Sequence, residues 1–346
     1  MRALTVQPGL ADSVQLEEVP PPPAHEGDVL VDALALGICG TDREIIHGDY
    51  GWAPPGQQRL IIGHESLGRV AQAPEGSGFA PGDVVVGIVR RPDPVPCPAC
   101  AAGEWDMCRN GQYTERGIKE RNGYGSEHWR IEHGFLIKID PSLHKLGVLM
   151  EPTSIVAKAW EFVERFAALN AYWQPRVALI TGAGPVGLLA ALIGQQRGYE
   201  VHVMDRHTDG PKPALTRALG ATYHNGDVGD LTPDIVIECT GAGTVVLDVL
   251  RRSAPTGIVC LTGVSSGGHT LSFDVGGFNR DMVLENDLVF GTVNANRRHY
   301  SAAAEVLAKA GKDWLSGLIT RRVPLDCWRE ALEVRPDDIK VVLDFN

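Results

Sequence analysis

The stretch 176-RVALITGAGPVGLLAALIGQQRG-198 decides the fold. RVALIT reads as a short apolar strand and LLAALIGQQRG as a buried helix. Between them stands GAGPVG, the pattern G-x-G-x-x-G. In this context Gly182 permits a tight turn and Gly184 lets a pyrophosphate approach the backbone. Gly187 allows close packing of helix on strand. The helix N-terminus then faces the phosphates, with Pro185 and Val186 in the same turn. Asp205 ends the next apolar run, 200-EVHVMD-205, eighteen positions after Gly187. A carboxylate there accepts from both ribose hydroxyls and repels a 2′-phosphate, which favours NAD. Arg206, His207 and Lys212 follow at once, and a guanidinium beside the ribose can hold a 2′-phosphate, so NADP stays open.

Further apolar runs alternate with helical stretches on the C-terminal side: 235-IVIECTG-241, 257-GIVCLTGV-264 and 287-DLVFGTVN-294. Thr240, at the end of the first, is a candidate to line the nucleotide site. Such alternation predicts a parallel sheet covered by helices. The segment 154-SIVAKAWEFVERFAAL-169 has helical spacing, 300-YSAAAEVLAKAG-311 reads as another helix and 339-IKVVLDF-345 as a final strand. The first 150 residues differ in texture. Short runs such as 28-DVLVDALALGIC-39, 60-LIIGHESLGRVAQA-73 and 82-GDVVVGIV-89, bounded by Gly and Pro, predict a compact β-rich domain. PPPP at 20–23 reads as a rigid surface connection.

The 346 residues favour two domains, and 44% hydrophobic with 22% charged residues is ordinary for a soluble globular protein. No apolar run approaches the ~20 residues of a membrane span. The N-terminus lacks the basic-then-apolar order of an export signal. A formal net charge of −11 argues against a nucleic-acid partner. The expected location is the cytosol, where seven cysteines are metal ligands and buried thiols more readily than disulfides.

Two groups of residues suit metals. Cys39 lies in 37-GICGTDREIIHG-48, His64 in 63-GHES-66 and Glu151 in 149-LMEPTS-154. A thiolate, an imidazole and a carboxylate from separate turns fit a zinc that keeps one position open. Glu65, beside His64, is a further ligand candidate. The second group, Cys97, Cys100 and Cys108, lies within 93-DPVPCPACAAGEWDMC-108, one ligand short of a closed tetrahedral site.

GICGTD, GHE and GAGPVG in this order resemble the zinc-dependent medium-chain dehydrogenase/reductase superfamily, over essentially the whole chain. GTDREI, YTERGI (113–118), MEPTS and GTVNANRRHY (291–300) are similar to glucose 1-dehydrogenases of the archaeal type. The resemblance implies a GroES-like catalytic domain, 1–152 with 295–346, and a Rossmann NAD(P)-binding domain, 153–294. It implies catalytic zinc on Cys39, His64 and Glu151, with Glu65 joining transiently. Thr41 would bond the reacting hydroxyl and begin its proton path. Glu115 and Asn294 would bind sugar hydroxyls with Glu65 and Glu151 nearby, and Asn294 would also reach the cofactor. The histidine that relays the proton in alcohol dehydrogenases is Glu44 here, so the relay is altered or absent; His47 substitutes only if geometry allows. The family's structural zinc lobe, C-x2-C-x2-C-x7-C, aligns Cys97, Cys100 and Cys108 with its last three ligands. Its first falls on Pro94, so Asp93 is the candidate fourth ligand.

The function so implied is oxidation of D-glucose or a related aldose at C1, with NAD(P)+ as hydride acceptor. Partners are then a small sugar or polyol and further copies of the chain, as a homodimer or homotetramer. The alternatives are a dehydrogenase of another polyol, an inositol or an aminocyclitol, a dinucleotide-binding protein whose chemistry has lapsed, and a zinc-free quinone or enoyl reductase. Retention of Cys39, His64 and Glu151 together speaks against the last two.

Overall fold

RVALIT forms the strand Val177–Thr181 inside a six-stranded sheet. Its neighbours are Glu200–Asp205 on one side and Ile235–Glu238 on the other. Thr222–Asn225 extends the sheet beyond the former, and Ile258–Leu261 then Leu288–Gly291 beyond the latter, every pair parallel. The chain thus leaves Val177–Thr181 in one direction and later returns to its other side. That reversal makes the crevice at the strands' carboxyl ends in which such sheets bind ligands. The runs are apolar throughout because both faces are covered, and the central strands are buried along their length. Thr222–Asn225, sequence TYHN, escapes sequence reading because an edge strand half open to water needs no apolar alternation.

The computed structural model describes residues 1–265, 267 and 270–345. Two units divide the chain: Met1–Ser154 with Asn294–Lys309 and Ile319–Asn346, and Ile155–Val293 with Ala310–Leu318. The parallel sheet belongs to the second. Its helix Pro185–Gln196 follows the glycine turn directly and is buried on almost every face. A Cβ on Gly187 would stand 1.8 Å from the carbonyl oxygen of Gly182, so only glycine lets this helix seat on its strand. Trp160, fully buried, donates its indole N–H to Ala190 O at 3.0 Å and stacks on Tyr199.

The first unit is built on a seven-stranded sheet around Val29–Ile38. On one side Glu65–Gln72 pairs antiparallel, followed by Val84–Gly87 and Leu136–Lys138. On the other lies Lys340–Asp344, then Ile319–Pro324, while His128–Ile131 pairs with the first half of the central strand. The C-terminal strand is therefore a central member of a sheet begun near the N-terminus. Its core is aliphatic, with Trp129 and Tyr124 packed edge-on at 4.8 Å. Two three-stranded sheets complete the unit, one of them Arg90–Arg91, Thr114–Arg116 and Glu120–Arg121.

Gly187→Ala should lower the stability of the nucleotide unit by about 1–3 kcal/mol and weaken dinucleotide binding, because the helix must move off its strand. Thermal unfolding and nucleotide titration check this; wild-type values for both would show that the packing tolerates a methyl group.

Candidate active site

The end of the central strand places the first site residue. Val29–Ile38 runs into Cys39, which opens the helix Gly40–His47, and Asp42 in its first turn accepts from Cys39 N at 2.8 Å. Across the ladder Gly37 faces Glu65, the first residue of its strand, and His64 precedes it. Cys39, His64 and Glu65 offer ligand atoms that all lie within 4.8 Å of one another. His64 and Glu65 are buried, and Cys39 is half-buried.

Glu65 is also in a buried ion pair. Lys340 Nζ donates to both carboxylate oxygens at 2.6 Å and to Ile38 O at 3.3 Å, with Glu65 1% and Lys340 2% exposed. A Cβ on residue 37 would lie 2.0 Å from Glu65 Oε2, so Gly37 makes the room. Burial opposes the charge on Lys340, but Glu65, Cys39 and Glu151 outweigh it and raise its pKa. Asp42, 0% exposed, stands 3.3 Å from His64 Nδ1. Burial acts to lower the His64 pKa, yet Asp42 and Cys39 raise it well above its ordinary value.

Glu151 lies in the first turn of the helix Met150–Ala167 and, among the described residues, is outside the compact trio. It still feels the cluster. Burial pushes its carboxyl up to about 7, Glu65 and Asp42 add to this, and His64 and Lys340 oppose it. Three carboxyl groups, a thiol and an imidazole thus surround one ammonium. That excess of oxygen, nitrogen and sulfur donors at low exposure has the chemistry of a cation site, and its composition suits zinc. Thr41 is half-buried one turn away, whereas Glu44 and His47 are exposed on the same helix.

Glu115 and Asn294, distant in sequence, meet in the first unit. Asn294 Nδ2 donates to Glu115 Oε1 at 2.6 Å, and Arg90 donates to the same oxygen from Nε and Nη2 at 3.1 and 2.9 Å. Glu115 is 5% exposed, so the guanidinium offsets the cost of burying it. Asn294 sits at φ 61°, a left-handed backbone that asparagine tolerates, and its own Oδ1 accepts from Ala295 N. Oε1 of Glu115 thereby accepts three hydrogen bonds.

The three-cysteine lobe is equally compact. The sulfurs of Cys97, Cys100 and Cys108 lie within 4.8 Å of one another. Asp93, 4% exposed, places Oδ2 4.0 Å from the Cys108 sulfur while Oδ1 accepts from Val95 N. Asp93 thus stands beside Cys108 but, among the described residues, outside the compact trio. Backbone N–H groups of Arg109 and Cys100 lower the Cys97 thiol to about 6, and burial raises Cys100 to about 11.

In the second unit Asp205 closes the nucleotide turn: Oδ2 accepts from Ala183 N at 2.7 Å, and Oδ1 from His207 N and Nδ1 at 3.1 and 2.5 Å. Burial alone would raise its pKa; the His207 and Ala183 hydrogen bonds and Lys212 hold it below the ordinary value. Space is open where a Cβ on Gly184 would point, as a phosphate cradle requires. Arg206 is exposed. Thr240 is fixed by the fully buried Glu238, whose Oε1 accepts from Thr240 N at 2.7 Å and Thr181 Oγ1 at 3.2 Å.

Sequence reasoning missed Lys340, Asp42, Arg90 and Glu238. Lys340 and Glu238 carried a signal, being lone charges inside apolar strands, where burial demands a partner. Asp42 carried none, standing among polar residues, and Arg90, at the end of the apolar run 84–89, read as the edge of a strand.

Known proteins resemble the chain over its whole length. Residues 25–141 match the alcohol dehydrogenase GroES-like domain and residues 144–345 the glucose dehydrogenase C-terminus. A glucose 1-dehydrogenase of Thermoproteus tenax is 41% identical over 99% of this chain and 99% of its own length. One from Caldivirga maquilingensis is 39% identical over 100% of this chain and 99% of its own. The Haloferax mediterranei glucose dehydrogenase structure, in complex with NADP, Zn and gluconolactone, superimposes with a TM-score of 0.92 at 33% identity, covering 100% and 99% of the two chains.

If the lobe holds zinc, the purified protein should carry about two zinc ions per chain and Asp93→Ala about one. Elemental analysis reads this directly, and about one in the wild type would show that the lobe has lost its metal.

Proposed function

Because the chain belongs to the glucose dehydrogenase family of zinc-dependent medium-chain dehydrogenases, we propose that it oxidises an aldose, D-glucose first, at C1 to the lactone, with NAD(P)+ as hydride acceptor. The observation that carries this reading is the pairing of a compact Cys39–His64–Glu65 donor trio with a Glu115–Asn294 hydroxyl-binding pair in one unit. A simple alcohol needs only the first; a polyhydroxylated substrate needs both.

Cys39, His64 and a carboxylate, from Glu65 or Glu151, would hold the catalytic zinc. When bound, zinc supplies Lewis-acid stabilisation of the oxygen that loses its proton, and nicotinamide supplies the hydride acceptor. The chain's own groups do the rest. Thr41 takes the hydrogen bond of the reacting hydroxyl. Glu115 Oε2 accepts from a second hydroxyl, with Arg90 and Asn294 fixing the carboxylate's direction. Lys340 holds Glu65 in place, and Asp42 fixes the Cys39 backbone. Glu44 and His47, both exposed, leave the proton path to begin at Thr41 without a following histidine.

Gly182, Gly184 and Gly187, with Pro185 and Val186, would cradle the pyrophosphate, and Thr240 would reach the cofactor. Asp205 faces the ribose position with its charge already shared with His207, and Lys212 stands 3.4 Å from His207 Nδ1. NAD is the expected cofactor, with these basic neighbours providing for NADP.

Among the described residues no helix is long and apolar enough to cross a membrane. A cytosolic setting fits the seven free cysteines. Assembly as a homodimer or homotetramer is part of the proposal. The edge strand Leu288–Gly291 ends the parallel sheet, and the helix Val275–Glu285 exposes Val275, Val283 and Leu284.

A panel of aldoses, polyols and alcohols assayed with NAD+ and NADP+ tests the reading; best turnover on an acyclic polyol or cyclitol would replace it. Cys39→Ser should abolish turnover while nucleotide affinity stays at the wild-type value, and an active variant would refute the ligand assignment. Asp205→Ala should raise use of NADP+ relative to NAD+; an unchanged ratio means that Asp205 does not face the ribose.

A further inference from the structure

Tyr50 and Trp52 are 41% and 45% exposed, two large aromatic side chains kept in water two positions apart. Their rings meet edge to face, centroids 5.0 Å apart at 74°. The loop that carries them is bonded to the turn that carries Glu115. Trp52 N donates to Ile118 O at 2.9 Å, and Glu120 N donates to Trp52 O at 3.0 Å. The same turn closes on Glu115, whose N donates to Lys119 O at 2.8 Å and whose O accepts from Lys119 N at 2.9 Å. Tyr113, two residues before Glu115, lies between the Arg90 guanidinium at 3.8 Å and the Lys119 ammonium at 4.3 Å. Burial, and then the charge of Glu115, raise the pKa of the Tyr50 phenol.

We propose that Tyr50 and Trp52 form the aromatic wall on which the sugar ring lies while Glu115 and Asn294 hold its hydroxyls. This role rests on the aldose reading above. A pyranose has a polar rim and two faces of C–H bonds. The rim suits the carboxylate and amide, and a C–H face suits the flat, apolar surface of an indole or phenol ring. Covering exposed rings with that face removes apolar area from water. An all-equatorial aldose such as glucose offers the flattest face. The wall takes the face from which galactose's axial C4 hydroxyl projects, where that hydroxyl would push into the aromatic ring without a partner and lose its water. The wall thus orients the ring and selects for its stereochemistry.

The test uses the full-length enzyme loaded with zinc and NAD(P)+. Trp52→Ala should raise KM for glucose by about tenfold, and Tyr50→Ala should raise it in the same direction. The preference for glucose over galactose in kcat/KM should shrink with it. Trp52→Phe, which keeps a flat ring, should restore KM to within about threefold of wild type, and unfolding temperatures should match throughout. Unchanged glucose KM in both alanine variants, or an unchanged glucose-to-galactose ratio, overturns the wall while leaving the aldose reading intact. A wild-type enzyme that turns over polyols but no aldose overturns both.

Discussion

A carboxylate and an ammonium, each all but sealed from water, meet where three strands of the first unit run side by side. Glu65 comes from one flanking strand, Lys340 from the other, and Gly37 on the central strand leaves the gap in which they touch. Removing one partner of such a buried pair costs about 3–5 kcal/mol, because the other charge is stranded. The register of the ladder, which sets this contact, also sets the candidate metal cluster. Cys39 follows the central strand and His64 precedes the Glu65 strand, so a slip of one residue would turn the donors onto the wrong face. The chain's last strand therefore belongs to the site as much as its first hundred residues do.

The second unit shows the same use of buried carboxylates at strand ends. Asp205 and Glu238 each spend an oxygen on backbone N–H groups of neighbouring turns, Ala183 in one case and Thr240 in the other. Those turns are the ones a dinucleotide would touch. A carboxylate bonded in this way holds the loop before any ligand arrives, which lowers the ordering cost of binding.

The parallel sheet was legible in the sequence because its strands are continuously apolar and its glycine turn has a mechanical reason for every glycine. The edge strand Thr222–Asn225 was not, since polar residues at a sheet edge resemble a loop. The candidate site divides in a similar way. Cys39, His64 and Glu151 stand out by residue type, but spacing cannot say which carboxylate is nearest the thiol and imidazole; the structure brings Glu65 in and leaves Glu151 outside the trio. The contact of Glu115 with Asn294 spans 179 positions and no local pattern reports it. Lys340 was visible only as an oddity, a charge in IKVVLDF, and its meaning waited for a partner from far away in the chain.

The central claim is that Cys39, His64 and their carboxylate neighbour hold a metal without which sugar oxidation does not occur. The most direct measurement is glucose-dependent NAD(P)H formation by enzyme stripped of zinc, then by the same sample after stoichiometric zinc is returned. The account predicts loss of turnover with the metal and recovery with its return, while NAD(P)+ binding persists throughout. Full turnover in protein shown by elemental analysis to be free of zinc would contradict it.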